Sequence, residues 1–111
     1  MKGLVYIASQ YTIGDHFINV QRQIECGNKL MDLSFIPIAP LVNSAFYNMQ
    51  KERTWAVWMD IDYVLISKCD YLLRLDGESR GADLEVAFAK QHNIPVFYSI
   101  DELYEFWMSK N

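Results

Sequence analysis

Two carboxylic acids stand where acids are costly. Across residues 54–68 the spacing is helical, and at roughly 100° per residue Trp55, Trp58, Met59, Leu65, Ile66 and Cys69 fall on the side of Asp62. Asp60, Ser67 and Lys68 fall opposite. Asp62 therefore sits inside an apolar stripe, where a carboxylate must be paired or protonated. The same construction over residues 82–92 sets Gly81, Ala82, Phe88, Ala89 and His92 around Glu85, with Asp83, Lys90 and Gln91 turned away. Glu85 is also close to a helix start, beside small residues that leave room for a ligand. The plain alternative is that either acid caps a loop or pairs with Arg53, Arg74 or Arg80. For one inward acid the two readings weigh equally; two acids on consecutive helices favour a site. Two carboxylates in one pocket can divide nucleophile and acid/base roles between them.

The segment before Glu85 adds a third feature. Asp76-Gly77-Glu78-Ser79-Arg80-Gly81 joins a strand to a helix. A serine, a glycine and the free N–H groups of a helix start make an anion site, to which Arg80 adds charge. Ser79 as an ordinary N-cap explains the same residues, and the short pattern alone does not decide.

The elements that position these residues follow from periodicity. Residues 4–8 form a short apolar strand, ended by the polar Ser9, Gln10, Tyr11 and Thr12. Residues 15–33 form a helix whose apolar stripe is Phe17, Val20, Ile24, Gly27 and Met31. Gly27 weakens that helix by roughly 1 kcal/mol relative to Ala, which a close approach to the sheet would explain. Strands are expected at 35–38, 71–75 and 95–98, and helices at 54–68 and 82–92. Residues 43–50 read as a short helix or ordered loop, and Asp76-Gly77 as a turn. Ser99 and Glu102 form a capping box that opens a last helix to about Met108. Strands alternating with helices predict a flavodoxin-like three-layer α/β sandwich with a parallel sheet of four to five strands. Ligands in such sheets bind beyond the carboxyl ends of the strands. The loops after Ala8, Ile38, Leu75 and Tyr98 are therefore expected around the site.

The 111 residues make a single domain, 1–111, and half of them are apolar, which excludes a disordered chain. A net charge of −4 argues against a nucleic-acid polymer as partner. Cys26 and Cys69 are too few for a disulfide framework, and with no signal peptide they are expected reduced and buried in a cytoplasmic protein. The apolar start, residues 1–8, is far too short to span a membrane. His16 and His92 lack metal-ligand spacing, so neither metal nor other cofactor is expected.

The segment Ser79-Arg-Gly-Ala-Asp-Leu-Glu85, with Ala87, Ala89 and Pro95 after it, resembles the nucleoside 2-deoxyribosyltransferase superfamily, which includes the 2′-deoxynucleoside 5′-monophosphate N-hydrolases. The look is closest to an uncharacterised bacterial and phage branch, and it covers most of the chain. The resemblance implies that Glu85 is the nucleophile and that Asp62, which with Asp70 fits the family's aspartate spacing, handles a proton. It also implies that Tyr6, in Val5-Tyr6-Ile7-Ala8-Ser9, hydrogen-bonds the nucleophile. Ser79 stands where monophosphate hydrolases carry a phosphate-binding serine. The chain departs from the family at Ser9-Gln10, at Pro40, Leu41 and Asn43, at Glu78 and at Asp83.

The substrate-binding set expected around the two acids is Ser9, Gln10, Tyr11, Asn43, Ser79, Arg80 and Gly81, with Tyr11 and Phe46 as candidates to pack on a base. The implied activity is N-glycosidic cleavage or transfer on a (deoxy)nucleoside 5′-monophosphate. The alternative is a non-catalytic binder of a nucleotide or nucleotide-derived signal in the same pocket. A third reading is a small structural or interaction domain with the aromatic tail Tyr104, Phe106 and Trp107, but that tail is expected rather to pack on the sheet or a partner subunit. Family members often complete each site from a neighbouring subunit, so a homodimer or larger homo-oligomer is expected.

Overall fold

A computed structural model describes residues 1–11 and 13–111; Thr12, expected at the end of the first strand's polar segment, lies outside the described residues. The chain runs β1 (Leu4–Ala8), α1 (His16–Asp32), β2 (Ile36–Ile38), α2 (Pro40–Gln50), α3 (Trp55–Ser67), β3 (Tyr71–Arg74), α4 (Arg80–Gln91), β4 (Val96–Phe97) and α5 (Ile100–Lys110). Every expected element is present, and residues 43–50 belong to a full helix that Pro40 starts at its first position. Side chains set the other helix starts. Asp15, Thr54, Ser79 and Ser99 each accept an N–H from the first turn of the helix they cap. The capping box is shifted by one: Ser99 accepts from Glu102 N, while Glu102 reaches back to Tyr98 N rather than to Ser99.

The sheet has four parallel strands in the order β2-β1-β3-β4 among the described residues. The chain moves outward from β1 in opposite directions, so the order reverses between β1 and β3. Alternation along β1 feeds two cores. Val5 and Ile7 join Cys26 and Leu30 of α1, Leu73, and Leu103 of α5 on one face. Tyr6 and Ala8 join Ile66 of α3, Leu72, and Ala82 and Ala89 of α4 on the other. That makes three layers, with β1 buried from both sides. Cys26 and Cys69 are free and buried. The aromatic tail packs inward: Tyr104 and Trp107 lie on the first core, and Phe106 meets Tyr71 and Phe97. Among the described residues no helix is long and apolar enough to cross a membrane.

The inner face of α1 differs from expectation. Phe17 is 67% exposed, and Ile24 and Met31 are also exposed, while Asn19, Gln23, Cys26, Gly27 and Leu30 are buried. Polar residues take the inner face because loops need them. Asn19 Nδ2 donates to the carbonyl of Ile13, and Gln23 Nε2 donates to the carbonyl of Ile7. Burial of polar side chains is tolerated when they satisfy backbone groups in this way. Gly27 does face the sheet, against Pro37 and Ile7.

Candidate functional site

Tyr6 is the innermost residue of the site. Its position on β1 turns it to the α3/α4 face, where it is fully buried. Its hydroxyl donates to Glu85 Oε2 at 2.6 Å. Glu85 is 5% exposed; Ala82 and Ala89, one turn before and after it, let α4 close on the sheet and leave the carboxylate inside. Asp62 enters from α3 and interacts with both Tyr6 and Glu85. Neither acid pairs with an arginine, so the alternative of simple ion pairs does not apply among the described residues.

The electrostatics follow from this crowding. Burial lifts the Glu85 carboxyl well above the usual carboxylate range, and the neighbouring Asp62 charge adds to the rise, against the hydrogen bond from Tyr6. Burial pushes Asp62 up to about 6, tempered by the neighbouring Glu85 and Tyr6 side chains. The Tyr6 phenol is raised by burial and then by the two acids. Both carboxyls are thus held above the ordinary carboxylate range, and their protonation belongs to the pair rather than to either residue.

A cavity of about 230 Å³ opens above the pair. Ser9 and Tyr11 reach it from the loop after β1, Gln23 from α1, and Pro40, Leu41 and Ser44 from α2. Trp55, Trp58 and Met59 come from α3, and Ser79 and Gly81 from the start of α4. The site thus lies at the carboxyl ends of β1, β2 and β3, where the strand order reverses. Tyr98, after β4, is exposed and not on this wall.

Of the expected substrate set, Ser9, Tyr11, Ser79 and Gly81 line the cavity. Ser79 does two things: Oγ accepts from Ala82 N at 3.1 Å as the cap of α4, and it faces the cavity. Gln10, Asn43 and Arg80 stand elsewhere. Gln10 packs against Gly77, whose φ of +118° favours glycine. Asn43 lines a neighbouring cavity, and the Arg80 guanidinium lies 5.6 Å over the exposed Trp55 ring. Phe46, a candidate to pack on a base, is 69% exposed and off the wall. His92, expected beside Glu85, is exposed and stacks on Phe88. Asp70 is at the opposite end of the sheet, where Oδ2 accepts from Leu4 N at 2.8 Å.

Several residues that shape the site were not expected. Gln23 is 1% exposed; it donates to Ser9 Oγ at 2.9 Å and accepts from Leu41 N at 3.1 Å, tying the loop after β1 to α2. Arg74, also buried, holds the loop before α4 through the carbonyls of Leu75 and Gly77 and pairs with Asp83 at 3.0 Å. Arg22 clamps the same loop through Asp76 at 2.7 Å. Glu52 and Arg53, between α2 and α3, complete the mouth. Only the clustering of Glu52, Arg53, Trp55 and Trp58 ahead of Asp62 hinted at a wall. Among the described residues no three His, Cys, Asp or Glu side chains form a metal-ligating group.

Fold and site together define a small doubly wound α/β domain with a buried acid pair at its switch point. The chain belongs to the family described as Domain of unknown function (DUF7768), whose model matches residues 3–99. No curated protein matches it. Among solved structures it is similar to the 2-deoxyribosyltransferase of the psychrotolerant bacterium Bacillus psychrosaccharolyticus. The TM-score is 0.64 at 17% identity, over 84% of this chain and 69% of that one. The likeness establishes a shared α/β fold, a parallel four-stranded sheet flanked by helices.

Proposed function

We propose that this domain cleaves or transfers the N-glycosidic bond of a (deoxy)nucleoside 5′-monophosphate. The observation that carries the reading is the buried Glu85–Asp62 pair, with Tyr6 donating to Glu85, on the floor of an open cavity. The shared fold supports it, since the solved neighbour is a 2-deoxyribosyltransferase described as a biocatalyst for nucleoside synthesis.

In this reading one proton is shared by the pair; the hydrogen bond from Tyr6 favours the ionised form of Glu85, and the arrangement with the proton on Asp62 is the reactive one. Glu85 attacks C1′. The C1′–N bond breaks, its electron pair stays on the base nitrogen, and Asp62 supplies the proton that neutralises the leaving base. Water then attacks C1′ of the glycosyl ester, gives a proton to the Asp62 carboxylate, and Glu85 leaves as carboxylate. A second base in place of water makes the reaction a transfer. Ser79 keeps its own hydroxyl proton while it caps α4, and can donate it to a 5′-phosphate beside the unpaired N–H groups of the first turn.

The test is a panel of nucleosides and nucleoside 5′-monophosphates, scored by free base released. Glu85→Gln keeps shape but cannot form the glycosyl ester, so turnover falls by several orders of magnitude, since covalent and acid/base contributions are each roughly 10²–10⁴-fold. Asp60→Asn, on the exposed face of α3, is the control and stays near wild type. Asp83 is unsuited to that role because it pairs with Arg74. Tight binding without cleavage by wild type replaces the enzyme with a non-catalytic binder. Cleavage that persists in Glu85→Gln removes the nucleophile assignment.

A further inference from the structure

Three consecutive carbonyls ahead of α4 each accept from a guanidinium. Those of Leu75 and Gly77 accept from Arg74, the second at 2.8 Å, and that of Asp76 accepts from Arg22 at 3.1 Å. The same Arg74 pairs at 3.0 Å with Asp83 in the first turn of α4. We propose that Arg74 is a positioning residue for Glu85: from inside the fold it fixes the loop and the first turn of α4, and so holds Glu85 against Tyr6 and Asp62 with a positive charge behind it. The inference rests on the glycosidic reading above for the work of Glu85 and adds the group that aims it.

The sequence explains where Arg74 points. Leu72, two residues before it, joins the core under α3 and α4, so Arg74 takes the same face of the sheet. Its register partner on β1 is Ala8, whose single methyl leaves room for a long side chain. At 8% exposure a guanidinium needs acceptors around it, since an uncompensated buried charge is costly. Two carbonyls and one carboxylate supply them. The planar fork of arginine serves all three from fixed directions, which the point charge of a lysine does not. Asp83, where the chain departs from the family it resembles, gains a reason: it is the carboxylate that meets Arg74 on the α4 side.

Arg22 grips the same loop from the other face of the sheet. It reaches over from α1, and its carboxylate partner, Asp76, is fully exposed. Arg74 is thus the inner half of the clamp and Arg22 the outer half. Only the inner half bears on the acids. The titratable and charged groups around Glu85 are Tyr6 from β1, Asp62 and Tyr63 from α3, and Arg74 from β3. Arg74 is the cation of that set, and its charge opposes the burial and the Asp62 charge that lift the Glu85 carboxyl.

The experiment reads Glu85 itself. Isotope-labelled glutamate carboxyls are titrated by NMR in wild type, Arg74→Gln, Arg74→Lys and Arg22→Met, with the Glu85 signal assigned by its loss in Glu85→Gln. Turnover of the best nucleotide is measured alongside. Arg74→Gln keeps a donor for the carbonyls but drops the charge, so the Glu85 midpoint rises by at least about half a pH unit and kcat falls roughly tenfold. Arg74→Lys keeps the charge and loses the fork, so the midpoint returns most of the way to wild type while kcat stays at least about threefold down. Arg22→Met loosens the outer half and leaves the midpoint in place. If the neutral variant does not fold, Arg74→Lys carries the test through its lowered kcat at a retained midpoint. A Glu85 midpoint unmoved in Arg74→Gln overturns the proposal, as does wild-type kcat in Arg74→Lys, or a midpoint that moves as far in Arg22→Met as in Arg74→Gln. If wild type cleaves no nucleotide yet the midpoint follows Arg74, the positioning stands and the glycosidic reading falls. If nucleotides are cleaved and the midpoint ignores Arg74, the positioning falls alone.

Discussion

Tyr6 Oη and Glu85 Oε2, 79 positions apart in the chain, are joined by a buried 2.6 Å hydrogen bond. Tyr6→Phe removes the donor and leaves the ring packing in place. A hydrogen bond to a charged group contributes about 1.5–3 kcal/mol, so kcat on the best nucleotide is expected to fall roughly 10-fold to 100-fold. The Glu85 ionisation should shift upward in the pH–rate profile. A Tyr6→Phe enzyme with an unaltered profile would leave Tyr6 a packing residue only.

The shared proton sets the pH dependence. Burial pushes Asp62 up to about 6 and raises Glu85 well above the usual carboxylate range. The singly protonated pair is the working form. The profile is expected to be bell-shaped, rising as the first proton leaves the pair and falling as the second leaves, with one limb near pH 6. A rate–pH profile that is flat from pH 5 to about 9 would count against the pair as the catalytic unit.

Stability carries the same sign. A raised folded-state carboxyl keeps its proton where the unfolded chain has lost it, so the fold loses stability as pH rises from the ordinary carboxylate range towards 6. Asp62→Asn removes its share of that slope, Glu85 keeping its own, and stabilises the protein at pH 7 by up to roughly 3 kcal/mol, the scale of the rise to about 6. Urea unfolding of both proteins at pH 4.5 and pH 7 measures it; equal pH slopes would refute it.

Gly27 lies in the buried face of α1, yet a methyl there would sit 3.6 Å from Pro37 and 3.9 Å from Ile7, ordinary contact distances. Its backbone is helical. Gly27→Ala is therefore expected to stabilise the fold by roughly 1 kcal/mol, read as a melting temperature higher by about 4–8 °C. A lower melting temperature would mean that the helix cannot yield even slightly at Pro37.

The outer face of α1 carries Phe17, Ile18, Ile24 and Met31, all exposed. An apolar helix face of this kind is expected to bury itself against a second copy, giving a homodimer at about micromolar concentration. Ile24→Asp with Phe17→Ser should leave a monomer. Light scattering that finds the wild type monomeric at high concentration would end the dimer reading.

Local information carried much of this protein. Short apolar runs, capping side chains and helical spacing placed the four strands and every helix except α2, which stayed open between a short helix and a loop, because those signals depend on residues within a turn or two of one another. The same spacing turned Asp62 and Glu85 inward. Spacing reports which residues share a face; it does not report what that face meets. On α1 it therefore chose Phe17, Ile24 and Met31, whereas the folded chain buries Asn19 and Gln23, whose value lies in carbonyls and a hydroxyl supplied by other segments. Gln10 and Arg80 follow the same logic: the loop after β1 carries Gln10 to Gly77, and the first turn of α4 sets Arg80 over Trp55, rather than into the cavity. Asn48 and Arg74 look like surface residues in the sequence, and become braces only where α2, α3 and the loop before α4 converge. The residues of the acid pair were legible because burying a carboxylate is costly wherever it occurs. Their partners, their shared proton and the cavity above them exist only once strands distant in sequence lie side by side.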